Sequence, residues 1–148
     1  MHRAIPILAD QFYHDGRGPE LKRVIWKFCG QILAGFEYFN PDDSHDADHL
    51  RHLVLDHPEA YSMASEEVHG DIRANGDTKA AIFQIENSPW QRSFQQRHLS
   101  KCHHFQIMFY DEIFDVICRS ISSGSGAFPT QAEQRAAGQP LGPLTFLP

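Results

Sequence analysis

The histidine-rich segment 43–53 carries side chains that could together hold a metal ion. On an α-helix, spacings of three and four residues place side chains on one face, and four residues have these spacings here: His45, Asp48, His49 and His52. Two imidazoles one helical turn apart can share a zinc ion, and a carboxylate between them can be a ligand or a general base. A metalloprotease helix needs Glu directly after the first His, whereas Asp46 follows His45. The segment therefore predicts either a zinc site of another hydrolase type or a solvated polar face.

A second cluster lies at residues 98–104, where one cysteine stands among three histidines: His98, Cys102, His103 and His104. His98 and Cys102 are four residues apart, which on a helix suits a zinc ion. A cysteine beside a histidine can also be a nucleophile with its general base. No Cys-x-x-Cys pair accompanies them, and ordinary packing at the junction of two elements is the alternative interpretation.

Other catalytic signatures are missing from the sequence. It contains no Gly-rich phosphate loop, Walker motif, nucleophile elbow or Rossmann fingerprint. The carboxylates of Asp111 and Glu112 suit a turn, and that of Asp115 suits the polar face of a strand. These absences exclude most nucleotide-dependent enzymes.

The charge balance and the cysteine content narrow the class of protein. The 148 residues contain 13 Lys and Arg against 19 Asp and Glu, a formal net charge of −6. This is the wrong sign for a protein that binds the nucleic-acid backbone. No run of 18 apolar residues is present, so we expect no membrane-spanning helix. Three cysteines are an odd and sparse set, which favours reduced thiols and a soluble cytoplasmic protein.

The second half of the chain has the clearest strand signals. Val68–Arg73 and Lys79–Glu86 flank an Asn-Gly pair, which is a strong hairpin signal between apolar runs. The segment Phe105–Cys118 contains two apolar runs around an Asp-Glu pair and predicts a second hairpin. Ala60–Glu67 predicts one more strand ahead of the first hairpin.

A helix is predicted between the two hairpins. Ser88 can cap it, and Pro89 suits its first position, where the missing N–H costs nothing. Trp90, Phe94 and His98 then recur every four residues, as on one face of a helix. We therefore expect Trp90 and Phe94 to be largely buried.

Residues 19–39 fit two different structures. An apolar stripe that follows Pro19 and ends at Gly35 fits a helix. The runs Arg23–Phe28 and Ile32–Phe39 instead fit the two strands of a hairpin. Because Trp26 would interrupt the polar face of the helix, we favour the hairpin.

Together these elements predict an α+β domain. Its core is an antiparallel meander-type sheet built from hairpins, with one or two helices packed on one face. The domain is expected to span residues 1–121. Residues 122–148 are rich in Gly, Pro, Ser and Gln and lack apolar periodicity, which predicts a disordered or weakly ordered C-terminal tail.

With no decisive motif, the sequence favours a non-catalytic binding or interaction module without a cofactor. The Phe105–Cys118 hairpin is apolar on both faces, so we expect a homodimer through this sheet surface, with the apolar end of the tail as the alternative cover. Two other functions stay open: a zinc-dependent hydrolase built on the histidine clusters, and a small-molecule-binding protein. The latter would have a pocket between helix and sheet, lined by Trp26, Phe36, Trp90, Phe105 and Phe109.

Overall fold

A computed structural model describes residues 3–26, 33–65 and 79–129 of the chain. Within these ranges the strands form two antiparallel sheets. The five-stranded sheet contains, in spatial order, β1 (Arg3–Ile7), β6 (Ile82–Glu86), β7 (His103–Met108), β8 (Glu112–Cys118) and β5 (Ala60–Ser65). The four-stranded sheet contains β2 (Glu20–Ile25), β3 (Leu33–Phe39), β4 (Arg51–Asp56) and β9 (Ser120–Ser125), also in spatial order. The helical elements are α1 (Pro89–Ser93) and two 3-10 helices, Ala47–His49 and Arg97–Lys101.

The main core lies between the two sheets and is rich in aromatic rings. Alternate residues of a strand point to opposite faces, so the inner strands β3, β4, β7 and β8 contribute every second side chain to this layer. The Phe36 ring of β3 lies with its centroid 5.2 Å from that of Phe109 and 4.7 Å from that of Phe114, which come from the other sheet and its turn. Phe12, fully buried, packs edge-on against Tyr38 and Phe109. This tilted and edge-to-face packing is the arrangement that aromatic rings prefer.

The predicted α+β class is wrong, because the described chain is mainly β. The apolar sheet face that the sequence assigned to a helix is covered by a second sheet instead. The helix predicted to run through His98 ends at Ser93, where the Phe94 N–H bonds to the Gln91 carbonyl and closes the last turn. Phe94 is 40 % exposed and Trp90 is only partly buried, so the predicted burial of this stripe is also wrong for Phe94.

Several predicted elements are confirmed. β2 and β3 pair as an antiparallel hairpin, so the helical interpretation of residues 19–39 is excluded for the described part of that range. β7 and β8 form the second-half hairpin, closed by a hydrogen bond from the Phe109 N–H to the Glu112 carbonyl. β5 lies where a strand was expected. Residues 66–78, with the Asn-Gly turn and the strand Val68–Arg73, lie outside the described residues.

The described strand β9 (Ser120–Ser125) runs across the boundary that the sequence places at Ser122. β9 pairs with β4 along its whole length, and residues Gly126–Pro129, called here the C-terminal strap, then cross the outer face of the four-stranded sheet. The Phe128 N–H donates to Glu37 at 2.8 Å, and its ring packs in a small apolar cluster. The Gly-Ser composition predicted a disordered or weakly ordered tail, yet a Cβ at Gly124 would lie 2.5 Å from the His52 ring, so any larger residue there would have to displace that buried ring. The rest of the predicted tail, residues 130–148, lies outside the described residues.

Candidate functional site

The four residues predicted to bind zinc do not share a helix face. The chain makes only a 3-10 turn at Ala47–His49 and is extended again at Leu50. His45 lies 3.2 Å from Glu20, and His49 lies 2.7 Å from Asp46. Asp48 contributes its N–H to the cap formed by Asp46. His52, on β4, is buried with its Nδ1 3.0 Å from the Gly126 carbonyl of the strap.

No group of three or more His, Cys, Asp or Glu side chains in the described part of the chain is arranged to hold a metal ion. The exposed histidines of the first cluster instead form pairs with single carboxylates. The Asp46 carboxylate raises the pKa of His49, and the hydrogen bonds from His49 and Ser44 lower the pKa of Asp46. Zinc binding at this cluster therefore stays a hypothesis that the geometry does not favour.

The second cluster is also divided among several environments. His98 pairs with Glu59 at 2.8 Å, and His103 is exposed with its Nδ1 3.1 Å from the Gln84 amide nitrogen. Cys102 is buried, and burial, followed by the charge of Glu59, raises the pKa of its thiol. A raised thiol pKa disfavours the thiolate that a cysteine nucleophile needs.

The aromatic residues predicted to line one pocket are likewise found in different places. Phe36, Phe105 and Phe109 belong to the core between the sheets. Trp26 contacts Tyr61 at the side of the sandwich, and Trp90 packs against His104 on the outer face of the five-stranded sheet.

A buried chain of three side chains, not predicted from the sequence, links α1 to the five-stranded sheet. The Ser88 hydroxyl lies 2.7 Å from Nδ1 of His104, and Nε2 of the same ring lies 2.7 Å from the Asp115 carboxylate. Ser88 is 3 % exposed and His104 is 5 % exposed. The pairing of His104 with Ile117 and of Gln106 with Asp115 places His104 and Asp115 diagonally on one face. Strand alternation in the predicted hairpin could therefore have brought these two residues together.

The chemistry that Ser88, His104 and Asp115 could perform depends on which atoms carry the hydrogens in their two hydrogen bonds. If the Ser88 hydroxyl donates to Nδ1 of His104, then Nε2 carries the hydrogen and donates to Asp115. This is the donor order of a serine, its general base and an orienting carboxylate, with the imidazole ring turned round compared with chymotrypsin-type enzymes. Such an arrangement can, in principle, activate a serine as a nucleophile.

Three features of the surroundings oppose catalysis by Ser88. The next residue is Pro89, which has no N–H, whereas serine nucleophiles on strand-to-helix turns use the N–H of the following residue to stabilise the oxyanion. The Ser88 hydroxyl already accepts a hydrogen bond from the Gln91 N–H as the cap of α1. The Trp90 ring covers His104, with the two ring centroids 5.0 Å apart. The hydrogen-bonded side chains of Ser88, His104 and Asp115 are therefore best explained as an anchor that holds the β6–α1 turn on β7 and β8.

Residues 13–19, residues 40–50 and the β7–β8 turn meet at one end of the sandwich, here called the loop end. The Tyr110 N–H donates to the Pro19 carbonyl there. Three cavities of about 140, 190 and 340 Å³ lie at this end. Arg17 and Tyr110 line both of the first two, and Glu20 and His45 line both of the last two.

The loop end is rich in carboxylates, but the cavities themselves are lined by Glu20, Asp43 and Asp46 together with the cations Arg17 and Lys22. Burial, followed by the negative charge of Asp111 and then of Glu20, raises the pKa of Glu112. Burial, followed by the hydrogen bond and charge of Asp42, raises the pKa of Tyr13 to about 12. The segments 13–22, 40–51 and 109–112 carry eight acidic residues against the three basic residues Arg17, Lys22 and Arg51. The acidic residues are Asp15, Glu20, Asp42, Asp43, Asp46, Asp48, Asp111 and Glu112.

An apolar surface lies at the side of the sandwich, where β2 ends one sheet and β5 ends the other. Val24 is 41 % exposed, Tyr61 is 44 % exposed and Met63 is 55 % exposed. The Trp26 ring contacts the Tyr61 ring with a centroid distance of 4.2 Å, so the two sheet edges meet there. We call these four residues, Val24, Trp26, Tyr61 and Met63, the open seam.

The described helices include none that is long and apolar enough to cross a bilayer. The chain matches no family model, and comparisons with curated proteins and with solved structures also find no match. Its function has to be inferred from the geometry of these sites.

Proposed function

We propose that the protein is a non-catalytic interaction module that self-associates through the open seam. The supporting observation is the concentration of exposed large apolar side chains at this one side of the sandwich. Contiguous exposed apolar surface on a protein is typical of an interaction site. The hairpin predicted as the dimer surface consists of β7 and β8. Both strands have a neighbouring strand on each side within their sheet, so neither has a free edge. The proposal therefore moves the interface to the neighbouring edge strand, β5.

The composition of the edge strands favours β5 as the strand that pairs. Edge strands that stay unpaired are usually protected by charged residues or proline. β1 contains Arg3 and Pro6, and β2 contains Lys22 and Arg23. β9, the other edge of the four-stranded sheet, also lacks charge and proline, but none of the exposed large apolar side chains of the described residues lies on it. β5 has the sequence Ala-Tyr-Ser-Met-Ala-Ser, without charge or proline, and in the described part of the chain it pairs only with β8.

A second copy of the chain is the partner that fits this edge. A two-fold interface needs a surface that is complementary to itself, and a neutral strand meets this requirement without charge repulsion. An antiparallel pairing centred on Ser62 places Tyr61 of one copy opposite Met63 of the other. Aromatic and aliphatic cross-strand pairs of this kind stabilise a sheet. The two five-stranded sheets would then form one continuous sheet.

Sedimentation equilibrium of the full chain at tens of micromolar tests this proposal. We expect the unsubstituted chain to be a dimer and Met63→Lys to be a monomer, because a lysine on an edge strand blocks pairing. Tyr110→Lys is the matched control, because Tyr110 is 51 % exposed but lies at the loop end. Tyr110→Lys should remain a dimer, and circular dichroism should show that both variants are folded.

Two results would contradict the proposal. A monomeric full chain would exclude self-association, and a Met63→Lys dimer as stable as that of the unsubstituted chain would place the interface away from β5. The non-catalytic part has its own test, because an active serine nucleophile would react with a fluorophosphonate at Ser88.

A further inference from the structure

A cavity lies between α1 and the 3-10 helix Arg97–Lys101, and we call it the α1 cavity. β6 ends and β7 begins beside this cavity, whereas the loop end lies at the other end of β7. We propose that the α1 cavity binds a short acidic peptide segment of another protein. The cavity shares no residue with the open seam, so the proposal is independent of the proposed self-association.

The chain around the α1 cavity is positively charged, although the protein as a whole is acidic. Residues 87–110 contain no Asp or Glu, and they contain Arg92, Arg97 and Lys101. All three residues are exposed, and none of the ion pairs among the described residues involves them. Three cations without an ion-pair partner in one segment attract a ligand with negative charge.

The carboxylates of Glu86 and Glu59, which adjoin this segment, already have partners. Glu86 directly precedes it and pairs with Arg3 at 3.0 Å. Glu59 pairs with His98 of the 3-10 helix at 2.8 Å. Neither glutamate lines the cavity, and its lining contains no carboxylate. The charge that a ligand would meet inside the cavity is therefore positive.

Two of the three cations lie at the cavity itself. Arg92 is one of the lining residues. Side chains three residues apart lie in one row on a 3-10 helix, so Arg97 lies in the row of Ser100, which also lines the cavity. Lys101 lies instead in the row of His98. The cavity therefore offers two guanidinium groups, which suit a ligand with two carboxylates.

The rest of the lining suits a peptide better than a free anion. The cavity has a volume of about 320 Å³, near the lower end of the range for ligand sites, about 300–1,000 Å³. The exposed amides of Asn87 and Gln96 each offer a donor and an acceptor, as a peptide backbone requires. Phe94 lines the cavity and is 40 % exposed, so its ring can contact an apolar side chain. An inorganic anion would leave the amides and the ring unused.

The net charge of the protein limits the length of the ligand. A long polyanion such as a nucleic acid would extend beyond residues 87–110 and meet the net charge of −6 on the whole chain. A segment with only a few carboxylates can stay within the positive part of the surface. A short acidic segment is therefore favoured over a nucleic acid.

Fluorescence anisotropy with defined peptides tests this inference. The probe is a fluorescein-labelled octapeptide in which glutamate alternates with leucine and serine. Its control carries the same label and has glutamine at every glutamate position. We expect the glutamate peptide to bind the full chain and the glutamine peptide to bind about tenfold more weakly, the combined effect of two lost ion pairs. The affinity of the glutamate peptide should fall as salt is raised.

Variants locate the binding site. Arg92→Gln and Arg97→Gln should each weaken binding about threefold, the effect of losing one exposed ion pair. Lys101→Gln should weaken it less, because Lys101 lies in the other row of the 3-10 helix. Lys22→Gln is the matched control, because Lys22 is also exposed but lines a cavity at the loop end. It changes the net charge equally and should leave the affinity unchanged.

Several results would overturn the inference. The glutamate peptide could fail to bind or bind no better than the glutamine peptide, or Lys22→Gln could weaken binding as much as Arg92→Gln does. Displacement of the peptide by inorganic phosphate or by polyuridylate, at an equal or lower concentration of charged groups, would assign the cavity to a free anion or to a single-stranded nucleic acid. Thermal unfolding of each variant, compared with the unsubstituted chain, shows whether a lost affinity reflects a lost fold.

Discussion

At the scale of single residues, the contacts of a polar cluster do not by themselves decide its function. Ser88, His104 and Asp115 have the contact distances of a catalytic triad, but the donor that an oxyanion needs is missing at Pro89. Ser88 was predicted to cap a helix, and this is confirmed. The contact between Ser88 and His104 was not predicted, because it depends on where α1 docks onto the sheet, and no local pattern encodes that position.

Replacement of Ser88 should reveal its structural role. Ser88→Ala removes the cap of α1 and leaves Nδ1 of buried His104 without its hydroxyl partner, so we expect a loss of about 1–2 kcal/mol of unfolding free energy. Ser93→Ala on the same helix is the control, because Ser93 is exposed and its hydroxyl donates to the Trp90 carbonyl within the same turn. It should cost less than about 0.5 kcal/mol in the same urea titration. Equal costs would refute the anchoring role.

At the scale of elements, strands were predicted more accurately than helices. Short apolar runs next to turn signals correctly identified β6, β7 and β8, and β5 was expected ahead of them, because a strand needs only a short extended segment and a partner. The four-residue spacing of Trp90, Phe94 and His98 indicated a longer helix than the structure contains. Most helical stability comes from packing of an apolar face, and Phe94 is substantially exposed. Without that packing α1 stops after five residues.

The packing of the C-terminal strap on the four-stranded sheet predicts the effect of a substitution at Gly35. A Cβ at Gly35 would lie 1.9 Å from the Leu53 carbonyl oxygen and 2.5 Å from the Phe128 ring. Gly35→Ala should therefore destabilise the fold by about 2 kcal/mol or more, as overpacked positions do. In a Phe128→Ala background the same substitution should cost less, because the ring no longer opposes the methyl group, but it should still be destabilising.

A double-mutant cycle measured by urea unfolding gives this coupling between Gly35 and Phe128. Additive costs would show that the strap does not cover β3. The result also tests the predicted end of the domain at residue 121. A coupling would show that Phe128, beyond that boundary, packs against β3 in the folded protein.

At the scale of the whole molecule, the fold class could not be read from local patterns. The hairpins β2–β3 and β7–β8 are local in sequence, and both were predicted. The pairings of β1 with β6 and of β4 with β9 join segments far apart in the chain, and these complete the two sheets. An apolar sheet face has the same sequence pattern whether a helix or a second sheet covers it. Only the long-range pairing decided between α+β and a β-sandwich.

The carboxylates at the loop end affect how the free energy of unfolding of the whole molecule depends on pH. Burial and the charges of Asp111 and Glu20 raise the pKa of Glu112 in the folded state above its unfolded value. The folded state therefore binds this proton more tightly, so ionised Glu112 lowers stability at neutral pH. This penalty disappears as the pH falls through the folded and then the unfolded pKa of the carboxyl group. Glu112→Gln should accordingly unfold at a higher urea concentration than the unsubstituted chain at pH 7.

The pH dependence separates this effect from a general change in net charge. The advantage of Glu112→Gln should shrink as the pH is lowered from 7 to about 4, because the unsubstituted side chain then becomes neutral as well. Glu86→Gln removes the same charge at the opposite end, where Glu86 pairs with Arg3, and should give no stabilisation at pH 7. Urea unfolding of the three proteins across this pH range provides the measurement. A stabilisation by Glu112→Gln that does not change with pH would show that the repulsion around Glu112 is not its cause.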